Sequence, residues 1–270
     1  MRIWLVLLIL LASFSAHTKT LVISDIDDTL KNSHVLDIDE AIKKAVFTDD
    51  YFLGMNLVLR ELRTADERVQ FEYVSSAPSD IMLSFHSAFL EMNGFPEGNL
   101  QLNEGYFSGT FKVDRIREII RRYKPDLVIN IGDNGEKDSF VYDQIRREFP
   151  EIRFLTFIHI SYFSKARKKE GKSLLPGQIG FATSWDLMLQ LHLRKLIDRT
   201  QLQEFFEDFA PAYLAEKERK TYPRMAIPKW SDCRDFSWSM DDSLFFDLEN
   251  YVKVKEKIQK RCSRRAFGDD

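Results

Sequence analysis

The stretch L-V-I-S-D-I-D-D-T-L at positions 21–30 runs an apolar segment of strand length straight into Asp25, Asp27 and Asp28, with Thr29 behind them. An apolar run that ends in acids predicts a central parallel strand whose last side chains reach the carboxyl edge of the sheet, where open α/β sheets hold their sites. Asp25 and Asp27 are two residues apart, so extended backbone places both carboxylates on one side. One can attack an electrophile while the other manages protons. Taken alone, the acids equally suit a helix N-cap with solvated neighbours. Function therefore rests on what later segments add.

Asp28, Asn32 and Ser33 suit a turn away from the sheet. Apolar periodicity predicts helices over 38–46, with Asp37 as N-cap answered by Glu40, and over 52–62. These fill nearly all the chain before a second strand at 70–75, which leaves room only for a minimal cap and an open site. That strand runs into S-S-A-P-S-D, in which Ser75 and Ser76 end the strand and Pro78 or Ser79 opens a helix over 80–92 that stops at Asn93-Gly94. Hydroxyls beside the unsatisfied N–H groups of a helix start can donate to phosphate oxygens without adding negative charge; an ordinary serine cap is the plain alternative.

A short third strand at 100–102 precedes a helix that opens near G-T-F-K and carries Lys112 in its first turn. The helix dipole disfavours a cation there, so Lys112 is expected to be exposed or engaged with an anion. A fourth strand at 127–131 ends in G-D-N-G-E-K-D before a helix over 139–149. Gly132 permits close backbone approach, and Asp133 and Asp138 bring hard oxygen donors, the type magnesium takes, to the same edge. A fifth strand covers 153–160, with His159 in the core. The remainder reads as helical over 184–197, 201–209, 211–220 and 242–260, its aromatics serving as packing.

The 270 residues suit one sizeable α/β domain with appended helices, and a formal net charge of -3 gives no global field toward nucleic acid. Basic clusters at 115–124, 165–172 and 253–265 are local. Residues 1–16 combine Arg2, an unbroken apolar run too short to span a bilayer, and small residues at Ser13, Ser15 and Ala16. That is the grammar of a cleaved signal peptide, so export to a periplasm or beyond the cell is expected. The chain then divides into 1–16, a phosphatase domain over 17–182, and a helical C-terminal extension over 183–270 packed on that domain. Cys233 and Cys262 lack zinc-site spacing but could form a disulfide in an exported protein.

Acid pair, serine, lysine and acid loop, in that order, resemble the four motifs of the haloacid dehalogenase superfamily. More narrowly, D-I-D-D-T-L, Y-V-S-S-A-P, N-G-F-P-E-G, F-K-V-D-R-I-R-E-I-I and I-G-D-N-G-E-K-D resemble the catalytic domain of the actin-patch-associated phosphatidate phosphatases and their bacterial relatives, over about 21–160. The resemblance implies a three-layer, Rossmann-like parallel sheet with a minimal cap. It makes Asp25 the nucleophile, Asp27 the general acid and then base, and Ser75, Ser76 and Lys112 the phosphate binders. Mg2+ would be held by Asp25, Asp27 and Asp133, with Asp138 either a further ligand or one step behind. Ser76 and Ser79 stand where the family is associated with asparagine and tryptophan, and Asn134 stands where serine is frequent. These differences bear on what the phosphate is attached to.

The function expected is a magnesium-dependent phosphomonoesterase working through an aspartyl phosphate, on phosphatidate or another bulky phosphomonoester, in contact with a membrane surface. The alternatives are an exported phosphatase of soluble esters and a noncatalytic phosphate-binding envelope protein on the same fold.

Overall fold

The apolar run of the opening stretch forms β1 (Thr20–Ser24), in which Val22 and Ile23 are wholly buried. The structure, a computed structural model, describes residues 18–45, 49–104, 109–218, 220 and 223–266. The expected signal peptide at 1–16 lies outside the described residues, as does the tail from 267. β1 pairs in parallel with β3 (Gln70–Pro78) on one side and β5 (Leu127–Asp133) on the other. β4 (Asn99–Asn103) lies beyond β3, and β6 (Arg153–His159) and β7 (Gln178–Phe181) lie beyond β5, all parallel. The order is β4-β3-β1-β5-β6-β7. The chain thus builds outward from β1 in one direction, then returns to build in the other, as in doubly wound sheets whose crevice opens where the order reverses.

All seven residues of β5 are buried, so both faces of the sheet are covered. α2 (Met55–Ala65), α3 (Ser79–Met92), α4 (Phe111–Tyr123) and α5 (Asp138–Glu148) are the crossover helices, and α4 packs beside α5. α6 (Ser184–Leu193) meets α2 and α7 (Arg199–Ala215), and α8 (Tyr251–Cys262) lies on α7. Trp185 shows how this layer closes: it is fully buried and stacked on Phe206 at 3.9 Å between centroids. The expected three-layer α/β sheet with a helical C-terminal part is the observed architecture. Among the described residues, no helix is long and apolar enough to cross a membrane.

α1 (Ile38–Ala45) starts as expected, with Asp37 Oδ1 accepting from the Glu40 N–H at 3.2 Å. The helix expected from 52 begins instead at Met55. Tyr51–Phe52 form a short strand, β2, paired in parallel with β8 (Arg224–Met225), and Gly54 turns the chain at φ +82°. Two buried aromatics suit a two-residue strand as well as the first turn of a helix, so periodicity could not separate them. β7 was not anticipated; with two of its neighbouring residues glycine, Q-I-G-F carries little strand signal.

The C-terminal third departs further. α6 stops at Leu193, with Lys195 left-handed at φ +60° beyond it. The two helices expected over 201–209 and 211–220 are one, α7, which runs through Pro211. A proline inside a helix costs about 3 kcal/mol. Here it is outweighed by the continuous buried face of Phe205, Phe206, Phe209 and Tyr213. The helix expected over 242–260 is a 3-10 turn, Asp242–Leu244, followed by α8 from Tyr251, because Asn250 adopts φ +65° and breaks the run. The described part of 216–250 is largely irregular rather than helical. Cys233 and Cys262 are bonded.

α6 opens with a capping box in which the Asp186 carboxylate accepts from the N–H groups of Ala182 and Thr183, both at 2.8 Å, and from Thr183 Oγ1 at 2.5 Å. Burial nonetheless pushes the Asp186 carboxyl up to about 7. The folded chain therefore holds this proton more tightly than the unfolded chain. The contribution is fully present below the ordinary aspartate value of 3.8 and is lost as pH rises through about 7. Unfolding free energy should fall across that window by roughly 2–4 kcal/mol from this group. Urea titrations across the window should show Asp186→Asn, which keeps an acceptor, with a flatter profile than the wild type.

Candidate active site

The carboxyl edges of β1, β3 and β5 and the first turns of α4 and α5 converge on one cleft. Asp25 follows β1 directly and its backbone N–H still donates to Ile131 O of β5 at 2.9 Å, so the sheet itself fixes the residue. Thr29 Oγ1 donates to Asp25 Oδ2 at 3.0 Å. From α4, Lys112 Nζ lies 2.6 Å from Asp25 Oδ1 and 2.6 Å from Asp138 Oδ1. Of the two fates expected for this lysine, engagement with an anion is the one observed, and the side chain is buried. Asp25, Asp133 and Asp138 each offer an oxygen within 4.8 Å of the others, and all three are buried.

Gly132 is required at this point. A Cβ there would stand 2.5 Å from Asp138 Oδ2 and 2.7 Å from Tyr142. The acid loop is drawn tight by its own amides: Gly135 N–H donates to Asp133 Oδ1 at 2.5 Å, and Asp133 N–H to Asp138 Oδ2 at 3.3 Å.

Asp27 turns away from this trio. Its carboxylate accepts from Ser33 Oγ at 2.6 Å and Ser75 Oγ at 3.3 Å. His86 Nε2 stands 3.3 Å from Asp27 Oδ2, a close approach without hydrogen-bond alignment. Ser75 also accepts from the Ala77 N–H at 3.1 Å, so its hydroxyl is fixed from both sides. Ser76 is exposed on the wall of the cleft. The cleft measures about 310 Å³ and is lined by Asp25, Asp27, Ser33, Val35, Ala41, Ser75, Ser76, Ala77, Pro78, Met82 and Glu136. The residues singled out from sequence therefore meet at one edge: Asp25, Asp27, Ser75 and Ser76 line the cleft, and Lys112, Asp133 and Asp138 are buried against Asp25.

Electrostatics separate the two acids of the opening stretch. Burial raises the Asp25 carboxyl well above its ordinary range; Lys112 opposes this, while Asp138 and Asp27 add to it. Asp133 is raised by burial and by Asp138 and Asp25. Lys112 is itself desolvated, but the two carboxylates it bridges outweigh that and hold its proton firmly. Asp27 moves the other way: burial would raise it, yet His86, Ser33 and Lys31 together bring it below the usual carboxylate range. Asp27 is thus the readily ionised member of the pair.

With all three acids ionised, the one ammonium would leave two negative charges to offset, which is the charge of one divalent cation, and the burial that raises Asp25 and Asp133 shows how much such a cation would relieve. An all-oxygen donor set is what Mg2+ accepts. On charge and donor chemistry, the residues fit such an ion.

Several residues that shape the site had no site role in the sequence reading. Asp28 is the hub of the loop after β1. At φ +57° it accepts from the N–H groups of Ser33, His34 and Val35 at 2.9, 2.6 and 2.7 Å, and from Tyr162 Oη at 2.5 Å. Burial lifts its carboxyl to about 6 despite these donors. Asn134 ties the acid loop to the chain after β6, accepting from the Ser161 and Tyr162 N–H groups at 3.0 Å each and donating to Tyr162 O at 2.6 Å. His86 could have been noticed as a polar residue on the buried stripe of Met82, Phe89 and Leu90. His159 is a core residue, as expected, with Nδ1 2.8 Å from Asp28 O and Phe52 and Phe181 around it.

Fold and site together define a doubly wound α/β domain with a buried, lysine-bridged acid centre at its carboxyl edge. Residues 20–159 match the profile of the family described as phosphatidate phosphatase APP1, catalytic domain, and the chain belongs to that family. A curated relative, an uncharacterized protein (C29B5.04c) of Schizosaccharomyces pombe (strain 972), is 27% identical over 230 residues, covering 76% of this chain and 36% of the relative. The chain thus spans about a third of that protein's length. Two solved structures share partial likeness. The UDP-GlcNAc 2-epimerase from Neisseria meningitidis has a TM-score of 0.36 at 12% identity, over 72% of this chain and 54% of the other. The UDP-N-acetylglucosamine 2-epimerase from Rickettsia bellii has 0.38 at 9%, over 75% and 50%. Likeness at this level carries no functional argument.

Removing the one ammonium from a buried group of acids should be costly. Lys112→Met is expected to lower unfolding free energy by about 3–5 kcal/mol, read by urea denaturation in chelator. A loss below about 1 kcal/mol would mean that the centre does not depend on this charge.

Proposed function

We propose that this chain hydrolyses phosphomonoesters by the haloacid dehalogenase route, with Asp25 as nucleophile and phosphatidate or a similarly bulky ester as substrate. The observation that carries the reading is the bridge from Lys112 to Asp25 and Asp138, beside Asp133, with Asp25 itself lining an open cleft. A carboxylate cannot approach a phosphate dianion unless positive charge offsets the repulsion. Lys112 supplies part of it. Mg2+, held by Asp25, Asp133 and Asp138 with Asp27 adjacent, would supply the rest when bound.

In the first half-reaction an Asp25 carboxylate oxygen forms a bond to phosphorus as the ester P–O bond breaks. The departing alkoxide takes a proton from Asp27, leaving an aspartyl phosphate. In the second, water attacks phosphorus while Asp27 takes its proton, the Asp25–phosphorus bond breaks, and phosphate leaves. Asp27 is ionised and so free to take a proton in the second step; in the first, the proton must arrive with the substrate. Ser75, Ser76 and Lys112 hold the phosphate oxygens throughout.

Among the described residues, α1, β2 and α2 are the elements between β1 and β3, which leaves no room there for a large lid over the cleft. That suits a substrate whose bulk stays outside. The segment 165–172 leaves the carboxyl end of β6 at the same edge as the site and exposes Lys165, Arg167 and Lys168, which favours an anionic lipid surface as the place of work. With the signal-like segment 1–16, the working location is an exported one, in the periplasm or outside the cell.

Purified protein is expected to release phosphate from phosphatidate vesicles in Mg2+ and not in chelator. Asp25→Asn should abolish turnover and Asp27→Asn should lower it by about 10²- to 10⁴-fold. Turnover indifferent to both substitutions would remove this mechanism, and no phosphate release by the wild type would leave a noncatalytic binding protein as the better account.

Replacing Lys165, Arg167 and Lys168 together by Gln should weaken binding to anionic vesicles by roughly a hundredfold, at about 1 kcal/mol for each charge, while hydrolysis of a soluble ester is unchanged. Equal vesicle binding by both proteins would favour soluble substrates.

A further inference from the structure

Ser33 reaches Asp27 because residues 32–35 are held in one conformation, and part of what holds them comes from the far end of the chain. His34 sits at φ +60°, a backbone region costly for a non-glycine residue. Asp28 secures this loop from within. From outside, the Trp230 ring stacks on His34 at 4.4 Å between centroids with the planes 8° apart, and its Nε1 donates to Asn32 Oδ1 at 2.8 Å. The same ring lies 5.3 Å from Tyr162, which in turn donates to Asp28. Trp230 therefore touches both neighbours of Ser33 and the aromatic that secures Asp28.

Trp230 stands in irregular chain and owes its position to anchors on α8. The buried Arg261 donates through Nη2 to the carbonyls of Pro228, Lys229 and Ser231 at 3.1, 3.2 and 2.6 Å. The adjacent Cys262 is bonded to Cys233, so the segment 228–233 is gripped near both ends. A further tie runs back to the site: Asp232 N–H and Ser231 Oγ donate to Ser161 O at 2.8 and 3.2 Å.

We propose that Trp230 is a positioning residue for Asp27, acting through the 32–34 segment, and that the Cys233–Cys262 bond makes this positioning dependent on redox state. This rests on the role of Asp27 given above. A dithiol reductant would pass two electrons and two protons to the S–S bond, leaving two cysteine thiols and the oxidised cyclic disulfide of the reductant. With one of its two grips released, the 228–233 segment loosens and Trp230 ceases to fix the loop. Because Ser33 then no longer holds the carboxylate, the loss falls on turnover rather than on phosphate binding.

The test uses the full chain with para-nitrophenyl phosphate in Mg2+, well below the melting temperature, and follows kcat, KM and amide hydrogen exchange over 32–36. Trp230→Ala, the Cys233→Ser/Cys262→Ser double variant and dithiol-treated wild type are each expected to lose between about ten- and a hundredfold in kcat. KM should change by less than about threefold, with faster exchange at 32–36. Trp230→Phe, which keeps a stacking ring, should recover most of the kcat lost in Trp230→Ala, and reoxidation should restore the reduced wild type. Normal kcat and unchanged exchange over 32–36 in Trp230→Ala or in the reduced protein would overturn the proposal, as would losses seen only in melting temperature. Exchange over 32–36 reports on the strap whether or not the chain hydrolyses the ester. Failure of the phosphatase reading, which appears as no turnover in untreated wild type, is thereby distinguishable from failure of this one.

Discussion

A single ammonium group, Lys112 Nζ, stands at 2.6 Å from each of two buried carboxylates with a third close by, and the architecture is arranged so that this can exist. Ions removed from water cost several kcal/mol each unless their partners are fixed and the rest of their hydrogen bonds are met. Three segments far apart in sequence must therefore be held to a fraction of an ångström. The parallel pairing of β1 with β5 sets Asp25 against the acid loop, the start of α4 aims Lys112 between them, and Gly132 removes the one side chain that would collide with Asp138. The lysine sits at the end of its helix where the dipole opposes it. The carboxylates more than offset that cost, which is why a position unfavourable by local rules is filled by a buried cation.

The two acids of the opening stretch do not share one environment. Asp25 is joined to the charged floor, whereas Asp27 is surrounded by hydroxyls and an imidazole and remains easily ionised. Divergent surroundings for neighbouring carboxylates are what acid–base chemistry with two roles requires. The third acid, Asp28, serves neither role in the geometry seen. It spends its oxygens on three amides and a tyrosine, and so converts a strained turn into a rigid one.

The central sheet was legible because its strands are buried on both faces and read as unbroken apolar runs, each followed by the residues that reach the carboxyl edge. Asp25, Asp27, Ser75, Lys112, Asp133 and Asp138 could all be named because they sit within a few residues of a strand or helix terminus, where position in the fold follows from position in the chain. His86 and Tyr162 could not, and Asn134 was noted without its role. Their places depend on which face of α3 is buried, or on a loop after β6 folding back on the acid loop, and neither is a local property. The C-terminal third failed for a related reason. The periodicity over 242–260 is broken at Asn250, and the packing aromatics Trp230, Phe236 and Trp238 are held by a disulfide, an arginine and ring contacts, with no secondary structure of their own to announce their places. Pro211 misled in the opposite sense, since packing along α7 exceeds the penalty that the residue carries in isolation.

The strand order has a consequence for how the chain acquires its shape during synthesis. β1 needs two parallel neighbours, and the second, β5, begins more than a hundred residues after β1 ends. Until that portion leaves the ribosome, the nascent chain can zip only β1, β3 and β4 together, presenting one apolar strand edge to its surroundings. The acid loop emerges behind β5, so a half-made chain lacks the Asp133 and Asp138 that complete the acid centre. Burial of the central strand and completion of the acid centre are thereby timed to a single late event.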